Sequence, residues 1–317
     1  MNLLKNIFSI YSDAKHYIIC ILGLKIKIRS TKKEIEFLQK QINHLKIINL
    51  QRDMKLLPVN SIKKLEIHII DHCNLNCKGC HHFAPLAPES FRDLSEFKND
   101  LTRMFELTGG EVETFNILGG EPLLHPQCIE FLETARNIFP KSEIKLVTNG
   151  ILLPKQSDNF YKRCGKSNIL IRPTYYGLDI DWDTVKKKCR QFGIDFQFYL
   201  YNETFYKDAI DLSGSRNPLV SYLNCQLGWH QLFYLDHGKI YHCSREAYMR
   251  FFSDYFKLNI EIPKTDYIDI YKAKNIQEIY NFMNTPPKFC SHCINNETLS
   301  EYKRVTSKKE ITEWIDE

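Results

Sequence analysis

From residue 65 onward, short apolar runs alternate with segments whose apolar positions recur every three or four residues. Leu65 to Asp71, Val112 to Leu118, Ile144 to Thr148, Ile169 to Thr174 and Ile194 to Leu200 have strand length and are rich in β-branched and aromatic residues. Leu94, Phe97, Leu101 and Phe105 mark one face of a helix ending near Gly109 and Gly110. Gln127 to Ile138 forms a second helix before Pro140, and Trp182 to Phe192 a third. Strands and helices alternating through short links predict right-handed crossovers onto a parallel sheet. In such sheets the chemistry collects at the carboxyl ends of the strands.

Outside this stretch the pattern changes. Around residue 215 the alternation gives way to a hairpin-like run, Gln231 to His242, turning at Asp236-His237-Gly238, and then to a helical segment carrying Ile276, Ile279 and Phe282. Near the start, Tyr17 to Leu24 is apolar for eight residues before Lys25, far short of the roughly twenty that span a bilayer. Lys25-Ile26-Lys27-Ile28-Arg29 then alternates basic and apolar residues. That alternation suits either a peripheral contact with anionic lipid on the inner face of a membrane or a half-buried strand or hairpin. Ile35, Leu38, Ile42 and Leu45 take the spacing of a coiled-coil seam that meets polar Asn49 after two heptads. Residues 32–50 therefore either support a homodimer or lie on the main domain. The expected organisation is an extension at 1–60, a core at 61–215, a module at 216–300 and a polar tail at 301–317.

With 317 residues, 43% of them hydrophobic, the chain can bury one large core and a smaller module. A net charge of +5 is too mild to indicate a nucleic-acid binder. No signal peptide with a cleavage site is evident and the chain is too long for a disulfide-stapled miniature, so the 11 cysteines are read as reduced thiols of a cytoplasmic protein, some of them metal ligands, rather than as disulfides.

Three of those cysteines stand in Cys73-Asn74-Leu75-Asn76-Cys77-Lys78-Gly79-Cys80. Sulfurs at this spacing can converge on one inorganic cluster while loop amides hydrogen-bond its sulfides. A [4Fe–4S] cube held by three cysteines leaves one iron open to a cofactor or substrate, the feature that separates catalytic from closed metal sites. A structural zinc would need a fourth ligand, and only His72, His81 and His82 are near in sequence. Two further motifs close strand-like runs: Gly119-Gly120-Glu121-Pro122 and Thr148-Asn149-Gly150.

Together these motifs resemble the radical S-adenosylmethionine (radical SAM) superfamily over about residues 64 to 300. The resemblance implies a partial (β/α)6 TIM-like barrel within an α/β fold, an open-iron [4Fe–4S] cluster on Cys73, Cys77 and Cys80, and S-adenosylmethionine (SAM) chelating that iron. By the same resemblance Gly119, Gly120 and Glu121 receive the methionine amine and Pro122 stiffens the turn. Asn149 belongs to the SAM pocket and Thr174 contacts the ribose. The residue before the third cysteine is usually aromatic in the family; here it is Gly79, with Phe83, His81 or His82 as substitutes. Cys225 and Cys243 in a C-x12-G-x4-C pattern, followed by Cys290 and Cys293, look like the auxiliary-cluster module called SPASM or, in short form, twitch. They would hold a second [4Fe–4S] cluster, or alternatively zinc.

Cys20, Cys128, Cys164 and Cys189 read as ordinary thiols, and His230, His237, His242 and His292 as local structure. Tyr175 and Tyr176 either line a substrate pocket or merely pack. A reductase or flavodoxin-type electron donor is implied as a partner. The segment Ile21 to Ile28 also looks like terminal segments of some bacterial surface-polysaccharide proteins, which points to a sugar or sugar nucleotide substrate. The auxiliary module points instead to peptide maturation, and a non-catalytic scaffold or redox sensor is the third reading.

Overall fold

The computed structural model describes residues 57–201, 204–206, 209–225, 231–294 and 301–315, together with the backbone of three short strands nearer the N-terminus. Those strands, β1 (Phe8–Ser12), β2 (Tyr17–Ile21) and β3 (Leu24–Ile28), form an antiparallel sheet in the order β1-β2-β3. Ile19 is registered between Ile10 and Ile26. The alternating basic and apolar segment thus lies in a strand, β3, paired antiparallel with β2. The proposed coiled-coil seam and dimer segment at 32–50 lie outside the described residues, as does His230. Residues 1–54 form one compact unit and 55–317 another. Among the described residues no helix is long and apolar enough to cross a membrane.

In the second unit, strand and helix alternate: β4 (Ile62–His68), α1 (Leu94–Thr108), β5 (Val112–Leu118), α2 (Cys128–Ile138), β6 (Glu143–Thr148), α3 (Asp158–Lys166), β7 (Ile169–Tyr175), α4 (Trp182–Gln191) and β8 (Leu200–Tyr201). Each strand pairs in parallel with the next. Local chemistry sets the helix bounds. Asp93 caps α1 by accepting from the amides of Ser95 and Glu96, and Gly109 ends it in the left-handed conformation that a Cβ disfavours.

Alternation along the strands sorts the side chains between the two faces of the sheet. Leu65 and Ile67 of β4, Phe115 and Ile117 of β5, and Ile144 and Leu146 of β6 join Phe97, Leu101, Phe131 and Leu132 of the helices in the main core. The alternate positions carry Glu66, His68, Asn116, Arg172 and Thr174, all buried. A parallel sheet covered on both faces usually reads apolar on both. This one keeps its second face polar.

The remaining elements are β9 (Thr204–Tyr206), α5 (Pro218–Asn224), β10 (Leu232–Asp236), β11 (Lys239–Tyr241), α6 (Ser244–Phe256), β12 (Tyr267–Asp269), α7 (Ile276–Met283) and β13 (Glu301–Lys303). β10 joins the free edge of β4 in parallel, with Tyr234 opposite Glu66, and β11 and β12 continue antiparallel. The result is an eight-stranded sheet in the order β12-β11-β10-β4-β5-β6-β7-β8. Six neighbouring strands in it are parallel and the sheet is not closed, which is the α/β partial-barrel class expected. A second core gathers Phe83, Tyr241, Tyr248, Phe252, Phe289 and Trp314 around α6.

Candidate functional site

Cys73, Cys77 and Cys80 follow β4 directly, on the loop that leaves its carboxyl end. That loop is clamped to the end of β5. Gly120 N donates to Ile70 O at 2.9 Å and Glu121 N to His72 O at 3.1 Å. The two glycines make this approach possible: a Cβ on Gly119 would lie 2.0 Å from Ile70 O, and one on Gly120 2.1 Å from His72 O. The Glu121 carboxyl ties in the next strand, accepting from Leu123 N (3.1 Å), from Thr148 Oγ1 (2.6 Å) and from Asn149 N (2.8 Å). Complete burial pushes its pKa up to about 7 in spite of these donors.

Asn149 completes the connection. Its amide nitrogen donates to Asn74 Oδ1 at 2.8 Å and lies 3.7 Å from Cys73 Sγ. The ends of β4, β5 and β6 thereby converge on the cysteine loop. Thr174 sits buried near the end of β7 and is hydrogen-bonded by Tyr176, whose phenol lies within electrostatic range of all three thiols. Tyr175 packs edge-on against Phe198.

The three sulfurs sense one another. Burial pushes the Cys73 and Cys77 thiols up to about 12, and the neighbouring sulfurs add to the rise. Opposing it, Leu75 N points at Cys73 Sγ from 3.4 Å, and the amides of Ala84, His82 and Phe83 favour the thiolate of Cys80. A pocket that is hostile to a bare thiolate yet supplied with N–H donors suits sulfur bound to a cationic cluster. Among the described residues no three His, Cys, Asp or Glu side chains come together on a single metal ion. A cube distributes its ligand sulfurs over separate irons.

Position 79 explains itself. Gly79 is left-handed, with φ 63°, and a Cβ there would meet the Tyr302 hydroxyl at 2.7 Å. Of the substitutes expected from sequence, Phe83 is fully buried against Phe252 and Trp314, and His82 is half-buried and hydrogen-bonded to His68 at 3.0 Å. Around Gly79 the rings present are instead Tyr302, stacked in series with Phe205 and Tyr176.

Beneath the loop, the polar face of the sheet holds a group that the sequence did not single out. Asn116 Nδ2 donates to Glu66 Oε1 at 2.9 Å and lies 3.3 Å from the Tyr199 hydroxyl, while Tyr234 also bonds Glu66. Asn116 Oδ1 is buried without a hydrogen-bond partner. Alternation within β4 and β5 was the available signal: Glu66 stands between Leu65 and Ile67, and Asn116 between Phe115 and Ile117.

The second cysteine set is also brought together. Cys225 lies at the end of α5, Cys243 after β11, and Cys290 and Cys293 beyond α7; burial raises the pKa of Cys243, Cys290 and Cys293, and the neighbouring sulfurs, that of Cys225 among them, add to the rise. Arg245 Nη1 lies 3.9 Å from Cys293 Sγ. The other candidates belong to the scaffold. Cys128, Cys164 and Cys189 are buried in the main core. His237 pairs with Glu96 at 2.5 Å, His242 faces Phe282 O at 3.2 Å, and His292 faces Asp211 O at 2.8 Å.

Residues 67–209 match the family model described as the radical SAM superfamily. GTP 3′,8-cyclase of Microcystis aeruginosa is 31% identical over 108 residues, 33% of this chain and 32% of that protein. The enzyme of the same name from Staphylococcus epidermidis is 34% identical over 110 residues, 32% of this chain and 31% of its own. The chain thus spans about a third of the length of the curated relatives it matches. Among solved structures, BtrN in complex with AdoMet and 2-DOIA aligns at 12% identity over 75% of this chain and 94% of that one, with a TM-score of 0.46. anSMEcpe with bound AdoMet and the Cp18Cys peptide aligns at 18% identity over 43% of this chain and 42% of that one, with a TM-score of 0.34. The span that matches the radical SAM superfamily model runs from β4 across the cysteine loop, the Gly119-Gly120-Glu121 turn and Asn149 to the end of the parallel strands, and that likeness implies a [4Fe–4S] cluster and SAM.

Proposed function

We propose that the protein is a radical SAM enzyme acting on a small polyhydroxylated substrate, a sugar or a nucleotide, bound over the polar face of its parallel sheet. Cys73, Cys77 and Cys80 would hold the [4Fe–4S] cluster, which once reduced would supply the electron for reductive cleavage of SAM and so the means of hydrogen abstraction. The chain's own residues then have four tasks. Gly119 and Gly120 let the β5 turn seat against residues 70–72, which fixes the cysteine loop over the strand ends. Glu121 and Asn149 hold β6 to that turn, leaving backbone at 119–121 to receive the methionine amine. Thr174 and Tyr176 close the β7 side. Glu66 and Asn116, with Tyr199 and Tyr234, offer hydroxyl-matching donors and acceptors away from water.

The observation that carries the reading is the convergence of the three strand ends on the cysteine loop. The substrate class rests on the polar sheet face and on the relatives' printed name, which specifies GTP. Cys225, Cys243, Cys290 and Cys293 would hold a second cluster that takes no part in cleaving SAM. A flavodoxin-type reductase would supply electrons.

The test is anaerobic. Reconstituted protein with SAM and dithionite should form 5′-deoxyadenosine, and Cys77→Ala should lower that rate by at least about 10³-fold, since removing one ligand removes the cluster. Nucleoside triphosphates and sugar nucleotides are then screened for stimulation, with Asn116→Ala expected to raise KM. Equal rates in wild type and Cys77→Ala would reject the reading.

A further inference from the structure

Two residues before the carboxyl end of β4, the polar face of the sheet carries a row of side chains that runs across three strands. Tyr234 of β10 stands opposite Glu66 of β4, and Glu66 opposite Asn116 of β5. Glu66 is 4% exposed and Asn116 not at all. Both N–H groups of the Asn116 amide are spent, since Nδ2 donates to Glu66 Oε1 at 2.9 Å and to the Tyr199 hydroxyl at 3.3 Å. The Oδ1 atom of the same amide is buried with no partner. Turning the amide over would not relieve it, because Oδ1 would then face the Glu66 oxygen, acceptor against acceptor.

Charge is unbalanced at the same place. Among the described residues Glu66 forms no ion pair. Lys64, two residues earlier on β4, is not bonded to it. Lys145, registered with Asn116 from β6, is held by Glu143 at 2.6 Å. His68, two residues later, is turned to Asp71 at 3.1 Å and to His82 at 3.0 Å. Burial lifts the Glu66 pKa above its ordinary value, as expected of an acid left without a counter-charge at contact distance. A water could satisfy Asn116 Oδ1 but would bring no charge to Glu66. An ammonium group does both, offering three donors and a positive charge to a carboxylate and a carbonyl oxygen that lie side by side.

We propose that the substrate carries a primary amine, bound as its ammonium ion between the Glu66 carboxylate and Asn116 Oδ1, and is therefore an amino sugar or another aminated polyol. Glu66 is then the residue that sets specificity. This selection rests on the reading of that sheet face as the substrate wall, and it narrows the class from sugars and nucleotides to aminated ones.

Reconstituted protein carrying SAM, without reductant, is titrated anaerobically with D-glucose and UDP-glucose and with their counterparts bearing an amine at C2, C3 or C4. At least one amine should bind about tenfold or more tighter than the alcohol it matches, the worth of a hydrogen bond to a charged group. Glu66→Gln keeps the shape and an acceptor but removes the charge. In that variant the preference should fall below about twofold, with iron content and SAM affinity as the check on folding. Alcohols that bind as tightly as every amine, no binding by any of these compounds, or a preference that survives in Glu66→Gln overturns the proposal. If the variant fails to hold iron, the wild-type comparison of amine with alcohol decides alone. Should wild type form no Cys77-dependent 5′-deoxyadenosine with SAM and dithionite, the enzyme reading itself fails, a result distinct from a missing preference for amines.

Discussion

Cys73, Cys77 and Cys80 come from a single eight-residue loop, whereas Cys225, Cys243, Cys290 and Cys293 come from three separated places in the fold. The first set is held by backbone: turns left-handed at Asn76 and Gly79, pairing with residues 305–307, and contacts to the β5 turn. The second is held by burial, with Cys290 and Cys293 both inside the protein. A group bound to the first set bridges residues that are already neighbours along the chain. A group bound to the second cross-links α5, β11 and the turn after α7, so its binding energy is in large part folding energy. The difference separates a site built for access from one built for cohesion.

The largest expected effect tests that contrast directly. In anaerobically reconstituted protein, Cys290→Ala should cost about 3 kcal/mol or more of stability by denaturant titration, and Cys73→Ala less than about 1 kcal/mol. A reversed order would break the comparison.

A pair of glycines sharpens it. Gly120→Ala drives a Cβ into His72 O, backbone that cannot turn aside, and should cost about 3 kcal/mol. Gly238, in the β10–β11 turn with φ 72°, would bring its Cβ 2.8 Å from the movable Tyr271 ring. Gly238→Ala should therefore cost only the left-handed penalty of about 1–2 kcal/mol. Thermal melts of the two variants rank the rigidity of the two regions.

The smallest effect concerns the polar sheet face. Burial raises the Glu66 pKa above its ordinary value of 4.5, with Asn116, Tyr234 and Lys64 opposing. Below that value folded and unfolded chains both hold the proton; above it the unfolded chain releases it first. Stability contributed at low pH is then lost as pH rises, until the folded carboxyl ionises as well. Glu66→Gln should flatten the fall in melting temperature as the pH rises above the ordinary carboxyl value of 4.5; an unchanged slope would remove Glu66 as its cause.

How far the sequence foretold each part depends on the interactions that define it. β5 was legible from end to end because Phe115 and Ile117 feed the core on alternate positions. β4 runs from Ile62 to His68 rather than Leu65 to Asp71, because Lys63 and Lys64 disguise its start and the apolar pair Ile69-Ile70 has already left the ladder, Ile70 bridging to Phe91. The fifth parallel strand was expected over Ile194 to Leu200; its regular pairing begins at Leu200, and Phe196 contributes only an isolated bridge. α6 escaped notice for the opposite reason to a weak pattern. It is buried nearly all round, including Ser244, Arg245 and Glu246, so no polar face marks its period.

The cysteine triplet was legible because its spacing is local. Tyr302 and Trp314 were not, since their partners are backbone carbonyls more than two hundred residues away, and carbonyls leave no mark on sequence. The polar group around Asn116 was written in the strand alternation but could not be weighed until β10 and the Tyr199 strand were seen to bring their phenols to it.

The pairing of residues 305–307 with the cysteine loop also sets a schedule. On a ribosome Cys73 emerges roughly 240 residues before Trp314, an interval of about 10–50 s at ordinary rates of synthesis. For about the first two thirds of that interval the edge of β4 awaits β10, and throughout it the loop stands without its far wall. Iron delivered to the nascent chain would meet three loose thiols, whereas iron delivered after release meets a finished cradle. The order of residues along the polymer thus makes the cradle of the cysteine loop one of the last parts of the molecule to be completed.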